Sequence, residues 1–364
     1  MKHRGNFLVA MAFILPALLI YLFYFIIPIP ASIYYSLFQW NGITKTNYKL
    51  TPKDAAALTS EQDLPASLVE SLKPVLNKKF DSKKEFISAV QTHVSADQMG
   101  QYGEKILAYA YNPGMKYLKF GNWEKLFKDP VLRLALRNNI ILVIASIILQ
   151  LPVGLLLGVF ISSSMKGTRL FKLVYFIPMM IASVAIGITW NYVYEPNFGM
   201  LNGILRAVGL GKYAVGWLGD PRFALAAVII STCWQFIPFY MVLFAAALTG
   251  IPKELYEAAC IDGATGVQAF FKITLPLLKN TIRMVCVLSL TGSLRFFDLL
   301  YVMTGGGPNH ASELLATYMY NKAFTSFEMG YGSTIAVFMF LLSFILAISV
   351  LSLRKKGDDE TAMA

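Results

Sequence analysis

Two charged side chains, Arg295 and Asp298, lie well inside an apolar stretch of the chain. An ionisable group at that depth of a membrane-length stretch is costly, which predicts a functional role or a nearby partner. At a spacing of three residues the two share one face of a helix, so they can pair with each other. The alternative is that Arg295 faces a cavity and binds a ligand, including an anionic one.

Aromatic and amide side chains cluster in further apolar stretches. Trp234, Gln235 and Tyr240 flank Pro238, a residue type that kinks helices, and Phe297 lies between the two charged residues. Aromatic faces pack on C–H surfaces and polar groups bind hydroxyls, so this set suits a polar ligand that also presents C–H faces. The candidates for a substrate path are Arg295, Phe297, Asp298, Trp234, Gln235 and Tyr240. Three other aromatic residues are more typical of a membrane-interface belt: Trp190, Tyr192 and Tyr194.

The segment 249–280 is more polar and is predicted to contain two short helices. Pro252 opens the first helix, and Gly263 permits the left-handed conformation that ends it. The second helix runs over about 266–273, before a proline. Small side chains in the first helix allow a partner protein to approach closely: Ala258 and Ala259.

The candidate residues of the substrate path lie in apolar stretches that are long enough to cross a membrane. The chain is 56% hydrophobic and 15% charged, with a mean hydropathy of +0.55, whereas a soluble domain has about 25% charged residues. Residues 5–44 contain no Asp, Glu, Lys or Arg, and about 20 apolar residues cross the hydrocarbon core, so this stretch predicts a retained first helix. Six such stretches predict an all-α membrane protein. They cover about 7–37, 131–161, 170–194, 222–248, 281–303 and 332–353.

The distribution of Lys and Arg predicts the orientation. With the N-terminus inside, the inner segments hold twelve Lys and Arg residues and the short outer loops hold four. An excess on the cytoplasmic side is the rule for inner-membrane proteins, so both termini are expected inside. The long segment 45–125 then lies outside, with three or four short helices, two of them capped by Ser82 and Ser95. It is a structural insert or a contact surface for a partner protein.

Several other classes of protein do not fit the sequence. The basic residues lie mainly in loops and one polar segment, so the net charge of +11 indicates topology rather than nucleic-acid binding. The three cysteines fall in two apolar spans and a loop, which predicts no disulfide. The three histidines are scattered, so no metal site is expected. A glycine-rich loop followed by Lys-Ser or Lys-Thr is missing, so the chain alone is not expected to hydrolyse ATP.

The 249–280 segment resembles the EAA loop of ABC-importer permeases. The matching residues are Glu257-Ala258-Ala259, then Asp262-Gly263-Ala264, then Ile273-x-Leu275-Pro276. The resemblance implies that this loop docks into a groove on a separate ATPase subunit and transmits its closing motion. It assigns ATPase coupling to Glu257, Ala258, Ala259, Asp262, Gly263 and Pro276. An ordinary helical hairpin loop, the alternative, would rarely have this spacing.

A second stretch narrows the subfamily. Residues 297–308, Phe-Asp-Leu-Leu-Tyr-Val-Met-Thr-Gly-Gly-Gly-Pro, resemble the end of the fifth core helix in carbohydrate importers of the maltose-permease type. The resemblance covers about 120–353 and the first span, but not the insert. It implies a six-helix type I importer bundle and a carbohydrate substrate. It also implies four kinds of partner: a second, different permease subunit, two ATPase subunits that bind ATP and Mg²⁺, an extracytoplasmic solute-binding protein and the lipid bilayer. No cofactor is expected on this chain.

The predicted organisation has four parts: 1–44 with the first membrane helix, an extracytoplasmic insert at 45–125, a core at 126–353 with five membrane helices, and a cytoplasmic tail at 354–364. The main rival is a secondary transporter of small polar solutes, which would be expected to show repeated halves and intramembrane charges for ion coupling. The sequence shows no internal repeat. An ABC permease for a non-sugar substrate is a second rival. A membrane enzyme is a third, and it would need convergent acid–base or metal groups at one membrane face.

Overall fold

The fold is a bundle of membrane-length helices, seen in a computed structural model that describes residues 2–62, 64–163 and 167–352. Within these residues, five helices are long and apolar enough to cross a membrane, and a bent helix pair makes six if it counts as one span. The expected helical six-span architecture is therefore confirmed. The spans are span 1, Phe13–Ser36; span 2, Pro130–Ser162; span 3, Thr168–Met180 with Ser183–Val193; span 4, Ala224–Leu248; span 5, Lys279–Met303; and span 6, in the helix Met329–Ser352. The predicted tail at 354–364 lies outside the described residues.

Several spans are interrupted. A π-helical turn, Ser146–Gln150, joins Pro130–Ala145 to Leu151–Ser162 within span 2. It precedes Pro152, whose missing N–H leaves the carbonyl four residues earlier without its helical partner. Span 3 bends by 98° between its two helices. Span 5 consists of Lys279–Leu294 and Asp298–Met303, separated by three non-helical residues.

The chain divides into two compact units, and each is described by itself. The first comprises residues up to Glu124 with Lys322–Thr334, and the second comprises Lys125–Asn321 with residues from Ile335 onward. The first unit contains the helices Lys2–Tyr21 and Pro28–Ser36, joined by a π-turn at Leu22–Ile26.

The insert after span 1 is built around its own apolar core. Its helices and 3-10 turn are Pro52–Gln62, Ala66–Leu72, Lys73–Val75, Lys83–Gln91 and Ala96–Ala110. Ser82 caps Lys83–Gln91 by accepting from the Glu85 N–H, and Ser95 with Gln98 forms the capping box of Ala96–Ala110. Leu58, Leu68, Phe86 and Ile106 are fully buried between these helices, so the insert has an apolar core of its own.

A two-stranded ribbon carries the chain into the insert and out again. Phe38–Gln39 pairs antiparallel with Lys116–Tyr117, and Asn47–Tyr48 pairs antiparallel with Tyr111–Asn112. The Asn122 amide donates to the carbonyls of Ser36 and Phe38, both at 2.9 Å. In the same unit the Gly330 N–H donates to the Trp40 carbonyl at 3.0 Å. A Cβ at Gly330 would lie 1.9 Å from the Phe38 oxygen, so only glycine permits this contact.

The second unit packs spans 2 and 4 against each other through glycines. A Cβ at Gly154 would lie 2.7 Å from the Tyr240 Cβ, and one at Gly158 would lie 3.0 Å from the Phe244 Cβ. This small-xxx-small spacing lets two membrane helices approach closely. The remaining helices and turns are Gly121–Lys128, which crosses the boundary of the units, Met200–Ala207, Gly211–Tyr213, Lys253–Ile261, Gly266–Ala269, Phe270–Thr274, Leu275–Leu277, Leu315–Tyr320 and Asn321–Thr325.

Candidate functional site

The first helix of the 249–280 loop, Lys253–Ile261, begins directly after Pro252. It ends at Gly263, which has a φ of +76° and donates its N–H to the Cys260 carbonyl at 3.1 Å. A Cβ at Gly263 would meet nothing within 4 Å. Glycine is therefore required there by backbone conformation and not by space.

The second half of the loop is capped and tied to the first half. Thr265 and Gln268 form a capping box that opens the helix Gly266–Ala269, and a π-helical turn continues it over Phe270–Thr274. The Tyr256 hydroxyl lies 2.9 Å from Thr274 Oγ1. This hydrogen bond fixes the first helix against the second.

The loop exposes apolar side chains on one side and buries others on the other side. Ile261 is 86% exposed, Val267 68% and Phe271 59%. Leu278 is buried, in a cluster that also contains Tyr240 and packs against Phe270 and Leu275. All six residues with a predicted coupling role lie in this loop; Ala259 is half-buried and the other five are exposed. Exposed apolar groups of this kind mark protein contact surfaces.

The break in span 5 opens onto a cavity of about 270 Å³. Arg295, Phe297 and Asp298 line this cavity together with Phe296. Ser183, the first residue after the bend of span 3, and Phe236 of span 4 complete much of the wall. Two interrupted spans therefore meet at one cavity. This placement is expected, because irregular backbone at membrane depth is tolerated where it is buried in protein or lines a cavity.

A second cavity, of about 190 Å³, lies beside the first and shares Phe236, Gly292 and Phe296 with it. Tyr240 lines this cavity. Five further lining residues carry hydroxyl or amide groups: Ser146, Gln150, Thr232, Ser289 and Ser293. The Phe236 and Phe296 rings meet edge to face, with centroids 6.2 Å apart. Aromatic faces and hydrogen-bonding groups therefore line the same cavity.

Arg295 and Asp298 do not form the pair that their spacing allows. The structure shows no ion pair between these two described residues, because the three-residue break separates the helical parts that carry them. The Arg295 Nε–H donates only a long bond, 3.4 Å, to the Thr291 carbonyl. Arg295 also lines a groove of about 520 Å³ against span 6 side chains such as Met339 and Phe344. The self-neutralised pair is therefore ruled out in this conformation.

The other two candidates differ in their surroundings. Gln235 is buried, and its amide donates at 3.2 Å to Oγ of Ser183, which lines the 270 Å³ cavity. Trp234 is 40% exposed and packs edge to face with Trp190, at 5.7 Å between ring centroids, outside both cavities. Three further lining residues could not be singled out from the sequence, because isolated small residues in an apolar span are equally typical of helix packing. They are Ser146, Ser289 and Gly292.

The loop after span 5 is closed by a buried polar network. Glu313 is 1% exposed; its carboxylate accepts from Thr317 Oγ1 at 2.6 Å and lies 2.8 Å from His310 Nδ1. Asn138 of span 2 donates to the carbonyls of Ala311 and Glu313. A Cβ at Gly306, whose φ is +94°, would lie 2.5 Å from the Glu313 carboxylate. This loop is thus held by its own side chains.

The connection between spans 3 and 4 carries two half-buried carboxylates with local partners, Glu195 and Asp220. Backbone N–H groups of Phe198 and Asn197 donate to Glu195, at 2.7 Å each, and hold the pKa of that carboxyl below its usual range. The Arg222 guanidinium bonds Asp220 and lowers the pKa of Asp220 in the same way. Both carboxylates stabilise turns outside the spans.

Interrupted membrane helices that line cavities, together with an exposed apolar patch on the 249–280 loop, are typical of a membrane transport subunit. The chain belongs to the family of binding-protein-dependent transport system inner membrane components, whose model matches residues 150–356. It is therefore a multi-pass ABC-transporter permease, as the resemblance of the two sequence stretches predicted.

Curated relatives agree with this family. The chain is 36% identical over 253 residues to the probable ABC transporter permease protein YurN of Bacillus subtilis, covering 69% of this chain and 87% of the relative. It is 35% identical over 212 residues to the trehalose/maltose transport system permease protein MalF of Thermococcus litoralis, covering 57% and 69%. The diacetylchitobiose uptake system permease protein NgcF of Streptomyces coelicolor is 29% identical over 253 residues, covering 66% and 71%.

A solved structure shares the fold. The chain superposes on a bacterial ABC transporter involved in the import of the acidic polysaccharide alginate, with a TM-score of 0.62 and 22% identity. The match covers 66% of this chain and 85% of that chain. At this identity the likeness establishes the fold of the permease.

Proposed function

We propose that this chain is the permease subunit of an ATP-driven, binding-protein-dependent importer of oligosaccharides or sugar derivatives. The observation that carries the proposal is the pair of adjoining cavities in the second unit, where hydroxyl and amide groups face aromatic rings inside the membrane-spanning bundle. Sugars need this combination, because their rings present C–H faces and their hydroxyls need hydrogen-bond partners. The relatives whose names specify trehalose, maltose or diacetylchitobiose support this substrate class.

The 249–280 loop would dock a separate ATPase subunit. Its exposed side chains, including Ile261 and Phe271, leave an apolar surface that a partner would cover. Glu257, Ala258 and Ala259 lie on the same helix, and Asp262, Gly263 and Pro276 lie in the rest of the loop. ATP and Mg²⁺ would be bound by that partner, and this chain would hold no cofactor.

A single apolar cluster would carry the motion of the loop to the substrate path. Leu278 at the end of the loop belongs to the same cluster as Tyr240, and Tyr240 lines the 190 Å³ cavity. A displacement of the docked loop therefore has a packed route to the cavity wall. Close-packed interiors transmit strain of this kind.

The remaining partners and the orientation follow from the same proposal. Both termini would face the cytoplasm, as the excess of Lys and Arg in the inner segments favours. The insert at 45–125 would then be extracytoplasmic, the core at 126–353 would form the path, and 354–364 would be a cytoplasmic tail. Two ATPase subunits, a second permease subunit and an extracytoplasmic solute-binding protein would complete the importer.

Arg295 would face the substrate path and favour a substrate with an anionic group. Its guanidinium has no carboxylate partner within the described part of the chain, although it lies inside a membrane span. Asp298 and Phe297 line the same cavity and would bind hydroxyls and a ring face.

The test is reconstitution of the permease pair, the ATPase and the binding protein in proteoliposomes. Radiolabelled maltose, maltotriose and diacetylchitobiose are the probes. Uptake should require ATP and be blocked by vanadate. Ile261→Asp should release the ATPase, while Ile43→Asp, at an exposed residue between the strands Phe38–Gln39 and Asn47–Tyr48, should not. Uptake driven by an ion gradient without ATP, or ATPase binding that ignores Ile261→Asp, would overturn the proposal.

A further inference from the structure

The short helix Met200–Ala207, in the connection between spans 3 and 4, leaves one apolar stripe uncovered. Met200, Ile204 and the capping residue Val208 recur at intervals of four residues, so they share one side of the helix. Each of these three residues, the outer stripe, exposes more than half of its surface. Contiguous exposed apolar side chains mark a surface that contacts a partner or a membrane.

Another side of the same helix is fastened to the second unit. The buried Asn202 amide donates to the carbonyls of Pro196 and Val215, at 3.0 and 2.9 Å, and Asn202 Oδ1 accepts from the Trp217 indole N–H at 2.8 Å. Leu201 and Trp217 pack against a buried apolar cluster of the second unit. The helix therefore cannot roll to cover its own outer stripe without breaking these bonds.

A third side of the helix is polar and open. With 3.6 residues per turn, Gly203 projects about 100° away from Ile204, and Arg206 lies nearly opposite Ile204. Arg206 is exposed, and its guanidinium donates to the carbonyls of Asn197 and Pro196 at 2.7 and 2.8 Å. A Cβ at Gly203 would meet nothing within 4 Å. One side of the helix thus faces protein, one is apolar and open, and one is polar and open.

The connection that carries this helix is tied to a membrane span at each end. Span 3 ends at Val193 and span 4 begins at Ala224. Three aromatic side chains are exposed near the helix: Tyr192 in the last turn of span 3, Phe198 before the helix and Tyr213 after it. Aromatic residues of this kind collect where a membrane meets water. The outer stripe is therefore continuous with the surface that the spans present to the bilayer.

The charges of the connection also suit a lipid surface. Residues 198–219 contain Arg206 and Lys212 but no Asp or Glu. Basic residues near a membrane are attracted to anionic headgroups. An apolar stripe combined with basic residues is the pattern of helices that lie in the plane of the membrane interface. A bilayer supplies both the apolar cover and the negative charge.

We propose that Met200–Ala207 is an interfacial helix, whose outer stripe lies at the boundary between lipid headgroups and acyl chains. Arg206 and Lys212 lie beside the lipid phosphates. Because Asn202 and Trp217 fasten this helix to the second unit, it holds the ends of spans 3 and 4 at a fixed depth in the bilayer. The inference depends on the membrane spans and on no particular substrate.

Spin labels on two neighbouring residues test this placement. Ile204→Cys and Gly203→Cys are labelled in the full chain, after Cys233, Cys260 and Cys286 have been replaced by serine. The chain is placed in nanodiscs of phosphatidylcholine and phosphatidylglycerol in equal parts. Collisions of each label with oxygen, which dissolves in lipid, and with a water-soluble nickel complex are measured by power saturation. Oxygen collisions should dominate at 204 and nickel collisions at 203, although the two positions are adjacent.

Two reference positions calibrate the reading. Ile148→Cys, at an exposed residue of span 2, gives the value for lipid, and Lys84→Cys, at an exposed residue of the helix Lys83–Gln91, gives the value for water. Val208→Cys repeats the measurement on the outer stripe if Ile204→Cys does not fold, as judged by gel filtration.

Three results would overturn the inference. Nickel collisions that dominate at both 203 and 204 would place the outer stripe in water and leave it to a soluble protein partner. Few collisions with either reagent at 204 would mean that protein, such as a second copy of the chain, covers the stripe. Oxygen collisions that dominate at both positions would place the whole helix inside the bilayer, away from the interface.

Discussion

The two loops at opposite ends of span 5 use their side chains in opposite ways. The 249–280 loop exposes Ile261 and Phe271, whereas the loop after span 5 buries Glu313 and Thr317 in a polar network of its own. The first loop leaves apolar side chains uncovered, whereas the second loop buries the Glu313 carboxylate and the Thr317 hydroxyl against each other. The second loop is stabilised within the chain, whereas the exposed apolar side chains of the first would be covered by the ATPase partner that we propose.

The largest expected effect comes from removing the Glu313 carboxylate that holds the loop after span 5. Glu313→Ala removes the acceptor of the buried Thr317 hydroxyl and the partner of the exposed His310. The free energy of unfolding should fall by about 2–3 kcal/mol, measured by thermal unfolding of the full chain in detergent. Glu257→Ala is the control in the exposed loop and should change stability by less than about 0.5 kcal/mol. An equal loss of unfolding free energy in both variants would contradict the difference between the two loops.

A smaller effect is expected from strain in the exposed loop. Gly263→Ala forces a side chain into the left-handed region at a φ of +76°, at a cost of about 1–2 kcal/mol. The loop should lose its shape while the bundle stays folded, so ATPase copurification should fall and the melting temperature should hold. Gly266→Ala, at a helical glycine with open space around it, is the matched control. If both variants bind the ATPase as the original chain does, the turn at Gly263 is not needed for docking.

The smallest effect concerns a third connecting loop, where the Glu195 carboxylate stabilises a turn. The pKa of Glu195 is lowered by N–H donors from Phe198 and Asn197, so its stabilising contribution is present above the unfolded pKa and is lost as the pH falls through the folded one. Glu195→Gln should therefore be less stable than the original chain near pH 7, and the gap should close on acidification to about pH 3. Thermal unfolding across this range measures the gap. A gap that widens with acid would contradict the assignment.

The membrane helices could be predicted from the sequence because lipid imposes length and apolarity on each one. The caps in the insert could be predicted too, since Ser82 and Ser95 precede helical patterns by the usual spacing. The direction of the helix axis within a span, in contrast, could not be predicted. Hydropathy is unchanged by a 98° bend between Met180 and Ser183, so the bend left no trace in the pattern.

The candidate path was only partly predictable for a related reason. Arg295 and Asp298 stand out by charge, and their spacing suggested one helix face, but the break at 295–297 separates them. Ser289 and Gly292 carry no signal of their own in an apolar span. Their place on a cavity wall depends on which helices lie opposite, and that is set by packing across the bundle.

The ribbon that carries the insert has a consequence for the history of the chain. Because Gln39 pairs with Lys116, the polypeptide leaves the membrane region and returns to it at neighbouring positions. Nested segments are most easily gained, exchanged or lost where their ends lie side by side. A short turn joining these two residues would close the ribbon and leave the rest of the chain in register. We therefore expect that the insert can be removed as a unit, with only such a turn in its place.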